Sequence, residues 1–304
     1  MGPTAADARA IMALYRDLAA KAGATKGFAT QGVSDFLKDG WETDATVITI
    51  PKLIPDMGDF TIHYIAKVYA APGLDPKQRA LLVLSTLITQ GAEPELEIHT
   101  HTALNVGLLP REVAAVPVNL IPYVGFPSVL NALKVIVRVF KERGIDIAKV
   151  GLEQAALNKT KPAKEPGRVI MREYRDMGKA LGANVGMAMP GGPSFAKDTR
   201  IIAPQMRDIQ EETGDWIYAR PGFTKHQRSL VILSSLITQG VDPEVHIHVH
   251  TALNVGLTAR EIVAIGWTLV PYVGFPRSFN GLKVMAAVFK ERGLSLEEVG
   301  KGKL

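Results

Sequence analysis

One stretch of this chain is written twice. Residues 78–113, QRALLVLSTLITQGAEPELEIHTHTALNVGLLPREV, return at 227–262 as QRSLVILSSLITQGVDPEVHIHVHTALNVGLTAREI. The correspondence continues from PYVGFPSVLNALKVIVRVFKERG to PYVGFPRSFNGLKVMAAVFKERG. Upstream, IMALYRD at 11–17 matches IMREYRD at 170–176. Copies of ~150 residues are the size of whole domains, not of solenoid units. The expected organisation is a domain over 1–150, a polar linker over 151–167 (GLEQAALNKTKPAKEPG) and a second domain over 168–304. The first copy carries about ten extra residues between 18 and 77, a plain insertion in one unit of a duplicated pair.

Each local reading can be made twice, and the readings are helical. LDPKQRALLVLSTLITQG offers Asp75 as N-cap, Pro76 in the first turn and Gly91 as the stop; Thr224 takes the cap in the second copy. EPELEIHTHTALNVG has Pro94 and acidic residues at its start and Gly107 at its end, as Asp242, Pro243 and Gly256 do later. Thr258 and Glu261 predict a capping box. PYVGFP predicts a loop, followed by a last helix that stops at Gly144. TVITIP at 46–51 is the one candidate for a short strand. The expected class is all-α.

The segment DPEVHIHVHTALNVG places three histidines in alternation. On a helix, residues two apart point to opposite sides and residues four apart stack. The segment therefore divides into two polar stripes. Glu95 and His99, repeated as Glu244 and His248, put a carboxylate one turn before an imidazole. That pair suits general acid–base work, or a buried Glu–His hydrogen bond that only fastens the helix. The other stripe is Glu97 and His101, repeated as His246 and His250. His246 and His250 have a spacing that can chelate zinc, but a catalytic zinc takes a third protein ligand and nothing nearby in sequence supplies one. No metal is expected, and metal-dependent chemistry at His246/His250 stands as an alternative. An interface stripe or a partly solvated face is the other reading.

Arg79 and Arg228, in the first turn of the preceding helix, suit clamping a substrate carboxylate or a surface ion pair. Ser85 and Ser234 line a pocket or bond back to their own helix. Tyr123 and Tyr272 cover a cavity or plug the core. Trp216 and Trp267 read as packing residues.

The bulk properties narrow the classes. The chain of 304 residues has no cysteine, which excludes disulfides, Cys-ligated metals and thiol redox chemistry. Its net charge of +5 comes from scattered Lys and Arg, which favours a small anionic substrate over nucleic acid. The longest apolar runs are interrupted by proline, so no membrane span is expected, and with no signal-like start the expected location is cytoplasmic.

Taken together, Glu95, Leu96, His99, Ala103, Leu104, Asn105 and Gly107, then residues 123–127 and 131–133, resemble the pattern of the carboxymuconolactone decarboxylase family, which includes the alkylhydroperoxidase D-like proteins. The second copy repeats it and departs at Val245 and Gly281. After the upstream Arg the family commonly has an acidic residue; Ala80 and Ser229 stand there. The resemblance implies two tandem alkylhydroperoxidase D-like domains forming a pseudo-dimer, and a homo-oligomer, a trimer of such chains. It also implies a cofactor-free decarboxylase or lyase acting on a small carboxylated lactone or related carbonyl acid. His99 or His248 is then the general acid, Glu95 or Glu244 orients it and raises its pKa, and Arg79 or Arg228 anchors the carboxylate. The peroxidase branch needs a cysteine pair and is excluded. A non-catalytic binding or assembly protein is the remaining alternative.

Overall fold

Asp75 and Thr224 start the two helices on which the rest of the molecule packs. In the computed structural model, residues 4–29, 57–158, 166–189 and 201–302 are described. There Asp75 Oδ1 accepts from the Gln78 backbone N–H, and Gln78 Oε1 accepts back from the Asp75 N–H, both at 2.8 Å. Thr224 and Gln227 make the same reciprocal pair. The first half supplies α1 (Ala5–Lys21), α2 (Met57–Tyr69), α3 (Pro76–Gln90), α4 (Glu93–Asn105), α5 (Pro110–Glu142) and α6 (Ile147–Asn158). The second supplies α7 (Pro166–Ala180), α8 (Pro204–Tyr218), α9 (Lys225–Gln239), α10 (Asp242–Asn254), α11 (Ala259–Glu291) and α12 (Leu296–Gly300). No strand occurs among the described residues, and the class is all-α. The strand expected at 46–51 lies outside the described residues.

Helices α3 and α9 are buried around most of their circumference, from Arg79 to Ile88 and from Arg228 to Thr238. A helix apolar on all sides belongs in a core, and these two pack against each other across the halves. Their hydroxyls stitch that contact. Ser85 Oγ donates to Val231 O at 2.7 Å, and the Thr89 and Ser235 hydroxyls meet at 2.8 Å. Ser234 Oγ donates to Val231 O within its own helix at 2.9 Å. Ser85 and Ser234 are therefore spent on backbone carbonyls and do not line a pocket. Leu82 enters the second half's core and Val231 the first's.

Two local expectations change. The stretch expected to be linker from 151 begins as α6, which packs back on the second half through Gln154 Nε2 donating to Pro221 O at 3.1 Å. PYVGFP is not a loop. Helices α5 and α11 run through it and break at one residue each, Gly125 (φ 74°, ψ 171°) and Gly274 (φ 77°, ψ 167°). Glycine reaches that backbone region without a Cβ clash, so a single residue replaces a connecting loop. Helix α5 is long and apolar enough by composition to cross a membrane. In this fold its Val113, Val116, Leu120, Val135, Ile136 and Val139 fill the first half's core instead.

Candidate active site

The breaks at Gly125 and Gly274 follow two tyrosines that reach into the opposite half. Tyr272 on α11 meets the edge of His99 on α4 with ring centroids 5.6 Å apart; Tyr123 on α5 meets His248 on α10 at 5.8 Å. The interplanar angle is 77° in both. Each cluster is thus built from both halves. Behind Tyr272, its hydroxyl lies 2.5 Å from that of Tyr69; behind Tyr123, the Tyr218 hydroxyl lies at 2.6 Å. Tyr15 packs on Tyr69, and Tyr174 on Tyr218.

Arg79 and Arg228 complete the clusters from the starts of α3 and α9. Their guanidinium carbons sit 5.8 Å from the Tyr69 ring centroid and 5.0 Å from that of Tyr218. Arg79 Nη1 donates to Thr268 Oγ1 at 3.0 Å and Nη2 to Ala71 O; Arg228 Nε donates to Asn119 Oδ1 at 2.9 Å. Thr268 and Asn119 come from the half opposite their arginine. The arginines are 2% and 3% exposed, and no carboxylate pairs with either among the described residues. The surface ion pair is therefore excluded. Asp75 acts on Arg79 only at longer range; a guanidinium buried without a carboxylate in contact is costly, and the tyrosine faces offset only part of that cost. It is a standing attraction for an anion.

Burial sets the proton inventory. It pushes the His99 and His248 imidazoles down to about 4, so both are neutral at pH 7. It pushes Tyr69 and Tyr123 well up and Tyr218 up to about 12, so these hydroxyls stay protonated. The Tyr174 hydroxyl is buried with no partner. A buried orphan of this kind marks a polar group waiting for one.

Glu95 and Glu244 are partly exposed, and no hydrogen bond joins them to His99 or His248 among the described residues. The expected orienting bond is not formed, and the histidine pKa moves down rather than up. Helical spacing puts the pair on one face, but the imidazole meets the partner half's tyrosine and the half-buried carboxylate makes no bond to it. Trp216 and Trp267, read as packing residues, are 51% and 38% exposed; Trp216 lies under the Arg220 guanidinium at 4.5 Å.

The second stripe faces the long helix of its own half, α5 or α11. Glu97 accepts from Arg138 Nε at 2.9 Å, while His101 Nε2 and Lys26 Nζ lie 3.3 and 3.1 Å from Glu142. In the second half Glu291 receives both His246 and His250, at 3.0 and 2.9 Å. A third group therefore does stand beside His246 and His250. Spacing within α10 does not reveal it, because Glu291 lies on another helix, although the repeated FKERG marks it.

The clusters also contain residues that sequence reasoning passed over: Tyr15, Tyr69, Tyr174, Tyr218, Asn119 and Thr268. Their signal was present. Every tyrosine except Tyr64 belongs to a repeat pair, 15 with 174, 69 with 218 and 123 with 272. The small cavity lined by Leu87, Ile88, Leu96 and Pro127 contains none of these groups.

The sequence profile of the carboxymuconolactone decarboxylase family matches residues 55–138 and again 204–287, together more than half of the chain. The chain belongs to the carboxymuconolactone decarboxylase family. Each matched stretch holds an arginine, a histidine and a tyrosine of the clusters. A 4-carboxymuconolactone decarboxylase from Acinetobacter baylyi is 32% identical over 85 residues, covering 28% of this chain and 63% of that protein. A nitrosuccinic acid decarboxylase from Metarhizium robertsii is 41% identical over 66 residues, covering 22% of this chain and 46% of that protein. The chain thus spans less than two thirds of either relative. A solved chain named as a gamma-carboxymuconolactone decarboxylase subunit from Burkholderia xenovorans superposes with a TM-score of 0.50 at 15% identity. That match covers 92% of this chain and 98% of the other, and is a likeness of fold. Family membership and decarboxylase-named relatives support a decarboxylase-type function.

Proposed function

We propose that the chain decarboxylates small acids whose departing carboxylate leaves an electron pair on carbon that a neighbouring carbonyl or nitro group accepts. The observation that carries this reading is a buried arginine with no carboxylate in contact among the described residues, placed twice on a tyrosine pair whose other ring meets a neutral histidine. Both decarboxylase relatives act, by name, on acids with such an acceptor, a lactone and a nitro group. The substrate itself takes the electrons, so the protein has to bind, orient, stabilise charge and deliver a proton.

Arg79 or Arg228 anchors a carboxylate that is kept. Binding the departing carboxylate instead would stabilise the ground state and slow its loss. A diacid fits this arrangement. The Tyr272–Tyr69 or Tyr123–Tyr218 hydroxyls, held protonated by burial, donate to the oxygen on which negative charge builds. His99 or His248 is the acid that protonates carbon. Its depressed pKa rises again when a substrate anion enters beside it, so the proton is taken up with the substrate. Glu95 and Glu244, half-buried and without a hydrogen bond to the histidines among the described residues, are given no direct part. The reciprocal contacts support a pseudo-dimer within one chain. Exposed Phe60, Phe275 and Phe279, joined through half-buried Tyr64, form an aromatic strip that suits contact between chains in a homo-oligomer.

The test is carbon dioxide release from 4-carboxymuconolactone and nitrosuccinic acid by the wild type and by His99→Gln/His248→Gln. Turnover of at least one acid by the wild type, lost by ~100-fold or more in the double variant, is the expected result. Full turnover in the double variant would sink the histidine assignment. No turnover of either acid would move the substrate class elsewhere.

A further inference from the structure

His246, His250 and Glu291 stand apart from the tyrosine–histidine clusters. His246 Nε2 lies 3.0 Å from both Glu291 oxygens, and His250 Nε2 lies 2.9 Å from Oε2. One ligand atom from each residue can be chosen so that all lie within 4.8 Å of one another. The histidines are one turn apart on α10, and Glu291 ends α11. The neighbouring Arg292 donates from Nη1 to Asn254 Oδ1 at 2.7 Å and ties the ends of the two helices together. The donor atoms are therefore held by two rigid elements and not by loops.

The first half shows what this place looks like when it holds an ordinary ion-pair network. Glu97 is matched by Arg138, and Glu142 by Lys26. In the second half both cations are gone. Ala287 stands at the position of Arg138 and Val185 at that of Lys26, while Glu97 has become His246. The backbone confirms the second match: Asn105 Nδ2 donates to Lys26 O, and Asn254 Nδ2 to Val185 O. Losing both side-chain cations while gaining an imidazole leaves one carboxylate between two imidazoles, with the nearby Arg292 turned to Asn254.

We propose that His246, His250 and Glu291 bind a divalent transition metal ion, zinc foremost, through the two Nε2 atoms and a carboxylate oxygen. Two imidazoles and one carboxylate suit zinc, and not calcium or magnesium, which take oxygen ligands. Zinc bonds of about 2.0–2.1 Å set ligand separations near 3.3 Å in a tetrahedron. The N···O separations of 2.9–3.0 Å have only a few tenths of an ångström to open. The His246 and Glu291 side chains are 33% and 47% exposed, so water can take the fourth position. The rival is a metal-free pair of neutral imidazoles that donate Nε2–H to Glu291. His250 Nδ1 is buried without a partner; it is an unmet donor with the metal bound and an unmet acceptor without it, and so favours neither. The ion would pin α10, which presents His248 on its other side, to α11. This site does not depend on the decarboxylase reading.

The experiment uses the full, tag-free chain, stripped with chelator and dialysed against zinc. Elemental analysis is expected to give about one zinc per chain, and the thermal midpoint should rise by several degrees as zinc binds the folded state. The variant His246→Glu/Ala287→Arg rebuilds the first half's pairing, which that half already accommodates. It should fold with a midpoint near that of the zinc-free wild type, hold below ~0.2 zinc per chain and show no zinc-dependent shift. Glu291→Gln, a near-isosteric change, provides a second check should the rebuilt variant fold poorly. Wild type that takes up no more zinc than these variants, or gains no thermal shift, would overturn the proposal.

Discussion

His99 of the first half and Tyr272 of the second form one unit, edge to face at 5.6 Å, and His248 with Tyr123 forms its counterpart. If each unit is a complete site, silencing one histidine costs only about half the turnover. The informative background is therefore His248→Gln, in which one site remains. There Tyr272→Phe, which keeps the ring and removes the hydroxyl donor, should lower kcat by about 10²-fold. Tyr123→Phe in the same background should add almost nothing, because its site is already silent. Steady-state kinetics of the four variants decides the matter. Equal losses from both tyrosines would mean that the two units work as one.

Arg79 and Arg228 lie buried with carbonyl, hydroxyl, amide and ring partners and, among the described residues, no carboxylate in contact. Losing one member of a buried charge pair costs about 2–5 kcal/mol, which corresponds to ~30-fold or more in affinity. In the His248→Gln background, Arg79→Gln should raise KM by that factor for a diacid while changing kcat less. Arg79→Lys should recover part of the affinity, since charge returns without the forked donors. A KM unchanged by Arg79→Gln would place the substrate carboxylate elsewhere.

The duplicated half, the helix caps and the two polar stripes were legible in the sequence because each depends on neighbours within a turn or two. Asp75, Gly91, Thr224 and Gly240 do what their residue types dictate. What stayed hidden depends on the packing of one half on the other. No local rule shows that Ser85 Oγ reaches Val231 O, or that Arg79 finds Thr268. The Glu95–His99 pair failed as a hydrogen bond for a related reason: spacing places two side chains on one face, but tertiary contacts choose their rotamers. The PYVGFP stretch differs for another reason. Two prolines around a glycine suggest a loop, whereas one left-handed glycine was enough to turn a helix and let it continue.

The buried histidines give the fold a pH dependence of known sign. Their folded pKa of about 4 lies below the ordinary value of 6.5. As pH falls below about 6.5 the unfolded chain takes up protons that the folded chain refuses, so stability is lost from there down to about pH 4. Below that both states are protonated and this contribution is flat. For a fully buried histidine the loss is at most about 3 kcal/mol; His248, which is partly exposed, should give less. Burial lowers His101 and His250 as well, so they add to the same slope. Urea melts between pH 7 and pH 4.5 should show this decline, and His99→Gln/His248→Gln should make it shallower. An unchanged slope would mean that the imidazoles are solvated in the folded chain.

Gly27 and Gly186 carry the start of each half onto the end of its histidine helix. They have φ of +127° and +135°, and a Cβ on either would lie 2.6 Å from the amide nitrogen of Asn105 or Asn254. Those amides are committed. Asn105 donates to Lys26 O at 2.8 Å and accepts from Arg143 Nη1 at 2.8 Å, and Asn254 makes the matching bonds to Val185 O and Arg292. Gly27→Ala therefore meets backbone strain of about 1–3 kcal/mol and also displaces a buried hydrogen-bonded amide worth a further ~1–3 kcal/mol. Gly23→Ala is the control: φ there is +61° with nothing within 4 Å, so only about 1 kcal/mol of strain is expected. Denaturant melts of the variants should rank Gly23→Ala well above Gly27→Ala and Gly186→Ala in stability, with the last two alike. Equal losses at 23 and 27 would show that strain alone sets the cost and that the asparagine bridges can move aside.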